Sequence, residues 1–287
     1  MSPKSIGRQQ VLADSAVENG DHETAAKAFE LAVDLGKHSC YARVDDQTGL
    51  INSVSETAGP EAALKVLAEL TNPSGRNVGS NQEKPDWRLD LSLGEIQLKN
   101  KRAVDAKAAI EKALGGYAEV PRDAADPSAI ALAKACYAIG MIVEAQKLLD
   151  RIVRENHDRE DIIAAVRNMF NELGMEGLGG DLIDNACSAV IEINNCGVGL
   201  AKQGKLDDAV EMLTQAADEL PGNLTISLNV LQVILSQVEF AGYTNQRQYL
   251  MNEYVQRAER IDRENPKLNK IRQKILDVQR IGQQRAV

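Results

Sequence analysis

The sequence has few of the residues that catalytic and metal sites need. Its 287 residues include only three histidines and four cysteines, and no two cysteines have the Cys-x-x-Cys spacing of zinc sites. The histidines fall near expected helix ends, where polar residues are common: His22, His38 and His157. We interpret the cysteines as small buried side chains: Cys40, Cys136, Cys187 and Cys196. We therefore predict no metal, no cofactor and no enzymatic activity.

Long apolar segments are also missing. No stretch reaches the roughly 18 to 20 consecutive apolar residues that cross a bilayer. Residues 1–10 have no apolar core like that of a secretory signal. We expect a cytoplasmic protein with no membrane partner. The net charge of −9 also disfavours nucleic acid as a partner, because that attraction requires clustered positive charge.

The charge is nevertheless uneven along the chain. Residues 244–287 contain ten Lys/Arg and five Asp/Glu, a balance of +5, which leaves −14 on residues 1–243. We interpret the basic end as a capping helix, because the last helix of a repeat array needs a polar outer face. A positive surface for an acidic partner is the alternative. Nucleic acid ranks below both, since no aromatic residues are interleaved with the basic ones.

Aromatic residues are only 3% of the chain, and runs of β-branched residues are scarce. Ala, Leu, Glu, Gln and Lys recur at spacings of three and four residues, which favours helices. Frequent Gly, Pro and Asn stops divide the chain into helices of about 12 to 20 residues. Many helices joined by short breaks predict antiparallel helical hairpins and no sheet.

One hairpin pattern is clear within residues 193–221. Gly197 and Ala209 are small, so two helices can approach closely there. Leu213 and Ala216 are expected to fill the seam with the next hairpin. The remaining positions of the pattern are a glycine at the turn, a helix-ending proline and three first-helix residues: Gly204, Pro221, Ile193, Cys196 and Leu200.

This segment resembles the tetratricopeptide (TPR) repeat, in which a small residue in each helix allows close packing. The resemblance implies an all-α, TPR-like α-solenoid of about six to seven hairpins, forming a right-handed superhelix with irregular loops. We expect one domain over residues 1–287. A subdivision into 1–157 and 158–287 is the alternative.

Weaker copies of the pattern occur upstream. The alanines expected at the tight contact are Ala25, Ala63, Ala106, Ala145 and Ala209. Their intervals are 38, 43, 39 and 64 residues, against a usual TPR period of about 34. The first three repeats therefore carry extra residues, and the last interval spans about two repeats.

Several segments depart from a regular array. Residues 72–86 and 115–127 are predicted to be long exposed loops. A helix over 158–173, a glycine-rich break over 174–180 and one long helix replace two regular hairpins. The pattern then continues with three further helices: residues 223–241, 245–262 and 266–280.

In a TPR array the first helices of the hairpins line a concave surface where peptides or partner helices bind. The resemblance places eight polar residues on that face: Gln10, Asp14, Arg88, Glu95, Lys134, Asn194, Lys202 and Gln232. The repeat frame is clearest at Asn194 and Lys202. The alternative interpretation is that these are ordinary solvated side chains.

From about Asp181 onward the chain also looks like the helical output region of bacterial two-component response regulators that join a receiver domain to a TPR array. The supporting segments are residues 193–195, 203–209, 220–224, 228–229, 241–243 and 260–266. The sequence contains no α/β receiver. Either the chain is the output part of a longer protein, or the similarity reflects shared repeat chemistry.

These observations favour a non-catalytic protein–protein interaction scaffold, acting as the partner-binding module of a signalling protein. Its partner would be a protein or peptide. The alternative is an enzyme or small-ligand-binding domain with its site within residues 175–196. Homodimerisation through a terminal hairpin is also left open, because the ends of an array expose apolar edges.

Overall fold

A computed structural model describes residues 3–36, 43–71, 86–120 and 127–285. Within these ranges all regular structure is helical, which confirms the all-α prediction. The helices are α1 (Pro3–Glu18), α2 (His22–Gly36), α3 (Val44–Ala58), α4 (Pro60–Thr71), α5 (Trp87–Lys99), α6 (Ala103–Glu119), α7 (Pro127–Ala138), α8 (Ile142–Glu155), α9 (Glu160–Glu172), α10 (Glu176–Lys202), α11 (Leu206–Glu219), α12 (Leu224–Ala241), α13 (Asn245–Asp262) and α14 (Pro266–Arg285).

The chain forms two compact units. The first unit comprises Met1–Val120 with Lys134–Ile142, and the second comprises Pro121–Ala133 with Val143–Val287. In the first unit, apolar side chains between α2 and α3 form one core cluster that includes Phe29 and Leu50. Another cluster joins α3, α4 and α5 through Ile51, Leu67 and Ile96.

Small residues allow the TPR-like hairpins to close, as the pattern predicts. The five alanines expected at the tight contacts are each 0% exposed: Ala25, Ala63, Ala106, Ala145 and Ala209. A Cβ atom on Gly94 of α5 would lie 2.6 Å from Cγ1 of Ile110 in α6. A Cβ atom on Gly197 of α10 would lie 2.5 Å from the side chain of Leu213 in α11. Both helix pairs therefore approach through a glycine.

Helix α12 is central to the second unit. Its side chains pack with Leu213 from α11, Met251 and Tyr254 from α13, and Leu268 from α14. Among the described residues, α12 alone is long and apolar enough to cross a membrane, judged by length and composition. However, 56% of the apolar segment is buried inside the fold, as in the core helix of a folded protein.

The predicted glycine-rich break over residues 174–180 is wrong beyond its first two residues. Gly174, at φ +67, makes the turn, and α10 begins at Glu176. The later glycines are helical, and Gly179 has a packing role, because a Cβ atom there would lie 2.6 Å from Phe170 of α9. Glycine therefore provides a close helix contact here and does not end the helix.

Helix α10 pairs with two helices in succession. Gly179 and Gly197 are 18 residues apart, about five helical turns, so both lie on one face of α10. That face packs on α9 at Gly179 and on α11 at Gly197. Ile183, Ala186 and Val190 are buried between them. One continuous helix thus serves two consecutive hairpins.

The loop predicted over residues 115–127 is also wrong at its start. Helix α6 continues through Gly115 and Gly116 to Glu119. A Cβ atom on Gly116 would lie 2.8 Å from Cβ of Trp87, whose ring meets Tyr117 edge to face at 5.0 Å. The predicted loop residues 72–85 and 121–126 lie outside the described residues.

The prediction that all four cysteines are buried is only partly correct. Cys136 is buried, but Cys187 is half-buried and Cys196 is exposed. Cys196 immediately precedes Gly197, so it lies about 100° around α10 from the contact with α11. Cys40 is outside the described residues.

Candidate interaction surface on the first helices

Each hairpin begins with a first helix and returns through a second helix. In the first unit, α1, α3 and α5 are first helices, followed by α2, α4 and α6. In the second unit, the C-terminal half of α10 and α12 are first helices, followed by α11 and α13. Seven of the eight predicted surface residues lie on these first helices, and Lys134 lies on α7, the first helix of the hairpin that continues with α8 as its second helix.

Two ion pairs join α3 to α5. Arg88 Nη1 lies 2.9 Å from Asp45 Oδ1, and Lys99 Nζ lies 2.6 Å from Glu56 Oε1. Both pairs join residues 43 apart in sequence. The same interval separates Ala63 from Ala106. Helices α3 and α5 are therefore parallel, with equivalent repeat positions in contact.

Arg88 is also held at the start of α5. Asp86 is the N-cap residue, and its Oδ1 accepts hydrogen bonds from the backbone N–H and from Nε of Arg88, each over 2.9 Å. Burial raises the pKa of Asp86, but the hydrogen bonds from Arg88 outweigh it and leave that pKa below its ordinary value. Arg88 thus binds two carboxylates of its own chain.

A buried carboxylate joins α1 to α3. Gln10 Nε2 donates a hydrogen bond to Oδ2 of Asp46 over 2.7 Å, and Asp46 is only 2% exposed. Burial raises the pKa of Asp46 above its ordinary value, while the hydrogen bond from Gln10 acts in the opposite direction. Gln10 therefore stabilises a carboxylate that water hardly reaches.

Glu95 and Lys134 are 39 residues apart, the interval between Ala106 and Ala145. Glu95 is half-buried on α5, and burial raises the pKa of its carboxyl. The charges of Lys99 and Lys134 act against that increase. The two predicted surface residues thus interact electrostatically across equivalent positions.

In the second unit the corresponding contact is uncharged. Asn229 Nδ2 on α12 donates a hydrogen bond to Oδ1 of Asn194 on α10 over 2.6 Å, across 35 residues. Nearby, Gln237 Nε2 donates to Oδ1 of Asp207 over 2.6 Å. The hydrogen bond between Asn229 and Asn194 therefore connects the first helices α10 and α12, whereas Gln237 bonds to the second helix α11.

Three of the predicted surface residues remain available. Asp14, Lys202 and Gln232 are exposed, and within the described ranges their side chains have no hydrogen bond or ion pair. By contrast, Gln10, Arg88 and Asn194 each bond to a neighbouring first helix. The interpretation of all eight as ordinary solvated side chains is therefore wrong for Gln10, Arg88 and Asn194.

Sequence reasoning missed the partners of those bonded residues. They are Asp45, Asp46 and Asn229, and the separate pair of Glu56 with Lys99 was missed as well. Each lies one repeat interval, or close to it, from a residue on the adjacent first helix. The signal that could have found the charged pairs was the interval of 43 residues between Ala63 and Ala106. Adding it to the number of a polar residue on α3 gives the number of its partner on α5.

The groups with catalytic potential are dispersed or engaged. No group of three or more His, Cys, Asp or Glu side chains is placed to hold a metal within the part of the chain that the structure describes. His22 begins α2, and Nδ1 of His157 lies 3.1 Å from Nδ2 of Asn223. Burial raises the pKa of the Cys187 thiol, and the nearby charge of Asp184 adds to that increase. His38 lies outside the described residues.

The structure removes the reason for expecting a small-ligand site within residues 175–196. That expectation rested on an irregular, glycine-rich segment. Residues 176–196 instead belong to the uninterrupted helix α10. Gly177 and Gly180 have open space beside them, while Gly179 packs on Phe170.

No protein-family model matches the chain, and no curated protein matches it. Solved structures of helical-repeat proteins do. One contains nearly identical TPR-like repeats of a Podosopora anserina protein assigned as a kinesin light chain. It is 19% identical to this chain, and the match covers 66% of this chain and 97% of that chain, with a TM-score of 0.42. Human IFIT1, as a dimer with PPP-AAAA, is 17% identical over 97% of this chain and 66% of its own, with a TM-score of 0.28. The IFIT1 dimer with m7Gppp-AAAA is 18% identical over 100% of this chain and 66% of its own, with a TM-score of 0.27. These are similarities of helical-repeat fold only.

Proposed function

We propose that this protein is a non-catalytic interaction scaffold that binds another protein or a peptide on the faces of its first helices. The observation that carries the proposal is the division among the polar residues of those faces. Gln10, Arg88 and Asn194 bond to adjacent first helices. Asp14 and Lys202 project from the same kind of helix and make no side-chain bond within the described chain. The first group maintains the helix register, and the second is free to contact a partner.

The chemistry of the described residues supports a non-catalytic role. A nucleophile requires a base within hydrogen-bonding distance or a lowered pKa. The pKa of Cys187 is raised, which favours the protonated thiol. Nδ1 of His157 is directed at Asn223. Neither group has the environment of an activated nucleophile or a general base.

We propose a protein or peptide partner in the cytoplasm, and not nucleic acid or a membrane. The net charge of −9 supports this choice, because a polyanion would be repelled by most of the surface. The basic residues of the C-terminal part are partly used internally. Arg257 lies 3.0 Å from Asp218, and Arg272 pairs with Glu259.

The narrower proposal is that the scaffold is the output module of a bacterial two-component response regulator. Its support is the sequence resemblance that begins near Asp181. Sequencing the native transcript, and sizing the native protein on an immunoblot, would test it. A receiver domain encoded upstream in the same reading frame would support this role. A native protein with no receiver would remove it and leave the scaffold proposal intact.

Matched substitutions on first and second helices would test the binding face. Lys202→Gln changes a first helix of the second unit, and Lys147→Gln changes an exposed lysine on second helix α8. Asp14→Asn and Glu30→Gln form the same comparison in the first unit, on α1 and α2. Proteins captured from native cell lysate by each variant would be quantified by mass spectrometry. We expect at least one protein to be lost with a first-helix variant and retained with its second-helix control.

Equal recovery of every captured protein by all four variants would contradict the proposal. A metabolite, nucleotide and RNA panel tests the competing classes in parallel. A ligand that binds only the folded state raises the melting temperature by mass action. A strong shift with one of these compounds would overturn the assignment of a protein partner.

A further inference from the structure

Two turns that are distant in sequence meet in the second unit. Residues 156–159 join α8 to α9, and residues 220–223 join α11 to α12. Asn223 Nδ2 donates a hydrogen bond to the carbonyl oxygen of Arg154 over 2.8 Å and lies 3.1 Å from Nδ1 of His157. Beside it, the hydroxyl of Thr225 donates to Asp158 over 2.6 Å. These contacts span 66 to 69 residues, about twice a TPR period.

The unbroken helix α10 explains why the turns meet. Helix α9 is antiparallel to the first half of α10, with Phe170 at Gly179, and α11 is antiparallel to the second half, with Leu213 at Gly197. Following both pairings along α10 brings the start of α9 and the end of α11 to the same level, near the buried Val190. The two turns are therefore adjacent, and Asn223 joins them.

The orientation of the Asn223 amide is determined by two backbone groups. Its Oδ1 accepts from the N–H of Ile226 over 3.0 Å, as the N-cap of α12, and its Nδ2 donates to the carbonyl oxygen of Arg154. Rotating the amide by half a turn would set two acceptors against each other at Arg154 and two donors at Ile226. Asn223 is 0% exposed, so water cannot compensate. The amide must therefore present its N–H₂ group to His157.

An N–H₂ group facing Nδ1 requires a lone pair on that nitrogen. His157 must then be neutral, with its proton on Nε2. We propose that His157, Asn223 and the carbonyl of Arg154 form a proton-sensitive clasp. A proton added at Nδ1 places two N–H donors against each other and separates the two turns, while the helices stay folded.

The surroundings of His157 determine the direction of its response. Burial lowers the pKa of His157 and is the larger effect, and the charge of Asp158 raises it. The stability that the neutral clasp contributes is thus fully present above the ordinary histidine pKa of about 6.5. It is lost as the pH falls below that value.

Other charged side chains occur on each element that meets at the clasp. Two of them are already paired, Arg154 with Asp150 and Arg159 with Asp161. Further charged side chains on these elements are Glu155 at the end of α8, Glu160 at the start of α9, Glu192 on α10 and Glu219 at the end of α11. The first turn of α12, residues 224–227, has no ionisable side chain.

Histidine-selective NMR on the full chain tests the clasp, because the sequence has only three histidines. Between pH 7.5 and pH 5, we expect His157 to start as the Nε2–H tautomer and to titrate below the ordinary histidine pKa of about 6.5. Its protonation should coincide with a loss of hydrogen-exchange protection at the Ile226 amide. Finding the proton of neutral His157 on Nδ1 would overturn the proposal.

Two variants separate the clasp from general acid destabilisation. His157→Gln provides a carbonyl acceptor that does not titrate, so protection at Ile226 should no longer change with pH. Asn223→Ser keeps a hydroxyl to cap α12 but loses the amide donor, so the pKa of His157 should rise relative to the parent chain. His22→Gln is the control and should leave the pH response unchanged. Equal loss of protection in His157→Gln and in the parent chain would overturn the proposal.

Discussion

In the first unit, equivalent positions on α3 and α5 are joined by ion pairs, whereas in the second unit α10 and α12 are joined by two asparagines. The ion-paired side chains of Glu56 and Lys99 are 50% and 49% exposed. Pairs this exposed contribute little to stability. Both units instead obtain their stability from the buried seam between the two helices of a hairpin, where Gly94 meets Ile110 in the first unit and Gly197 meets Leu213 in the second. The polar pairs determine the register.

The largest expected effect is on the seam, which should respond alike in both units. Leu213→Ala and Ile110→Ala each remove a side chain that is 0% exposed and leave a cavity. Each should reduce the free energy of unfolding by about 2–5 kcal/mol. Urea titration followed by circular dichroism measures the loss. Val104→Ala, at a side chain 83% exposed, is the control and should change stability by less than about 0.5 kcal/mol. A cost at only one of the two buried sites would show that the units differ in their seams as well.

Glycines at the seam should respond in the opposite direction from glycines in open space. Gly197→Ala and Gly94→Ala each place a Cβ atom within 2.6 Å of a facing side chain. Overpacking of this kind costs about 1–3 kcal/mol. Gly199→Ala meets nothing within 4 Å and should stabilise α10 by about 0.4–1 kcal/mol. If Gly197→Ala were as stable as Gly199→Ala, the close approach of α10 and α11 would be refuted.

Much of this register follows from the sequence. The alanine intervals of 43 and 39 residues are also the separations of Asp45 from Arg88 and of Glu95 from Lys134. The helix at residues 245–262 is likewise found at its expected bounds. The continuity of α10 could not be predicted, because glycines usually end helices and the contact of Gly179 with Phe170 is tertiary. The link between His157 and Asn223 was hidden for the same reason, since it depends on α10 being unbroken.

Salt should distinguish the polar pairs of the two units. Lys99→Gln removes an exposed ion pair, which is worth about 0.2–1 kcal/mol, and the loss should disappear near 1 M NaCl, where charges are screened. Asn229→Ala removes a neutral hydrogen bond, which is worth about 0.5–1.5 kcal/mol at either salt concentration. Unfolding of both variants and the parent chain at low and high salt measures this. A salt-dependent cost for Asn229→Ala would contradict the distinction.

The smallest expected effect is a pH dependence of opposite sign in the two units. Because burial raises the pKa of Asp46, its protonated form is favoured in the folded state, and stability falls as the pH rises through that pKa. Asp46→Asn keeps an acceptor for Gln10 and should stabilise the chain at neutral pH but not at strongly acidic pH. In the second unit, His157 should lose its contribution as the pH falls. Stability curves of Asp46→Asn and the parent chain that stay parallel from pH 3 to pH 7 would exclude this role for Asp46.

The parallel arrangement of successive first helices, with equivalent repeat positions in contact, can be tested by chemistry. Zero-length carbodiimide cross-linking followed by peptide mass spectrometry tests it directly, since this reagent joins amines to carboxylates that touch. We expect a link between Lys99 and Glu56, whose charged atoms are 2.6 Å apart, alongside the hairpin link between Lys112 and Asp90 at 2.7 Å. If Lys112 and Asp90 were linked while Lys99 was linked only to other carboxylates, the parallel register would be contradicted.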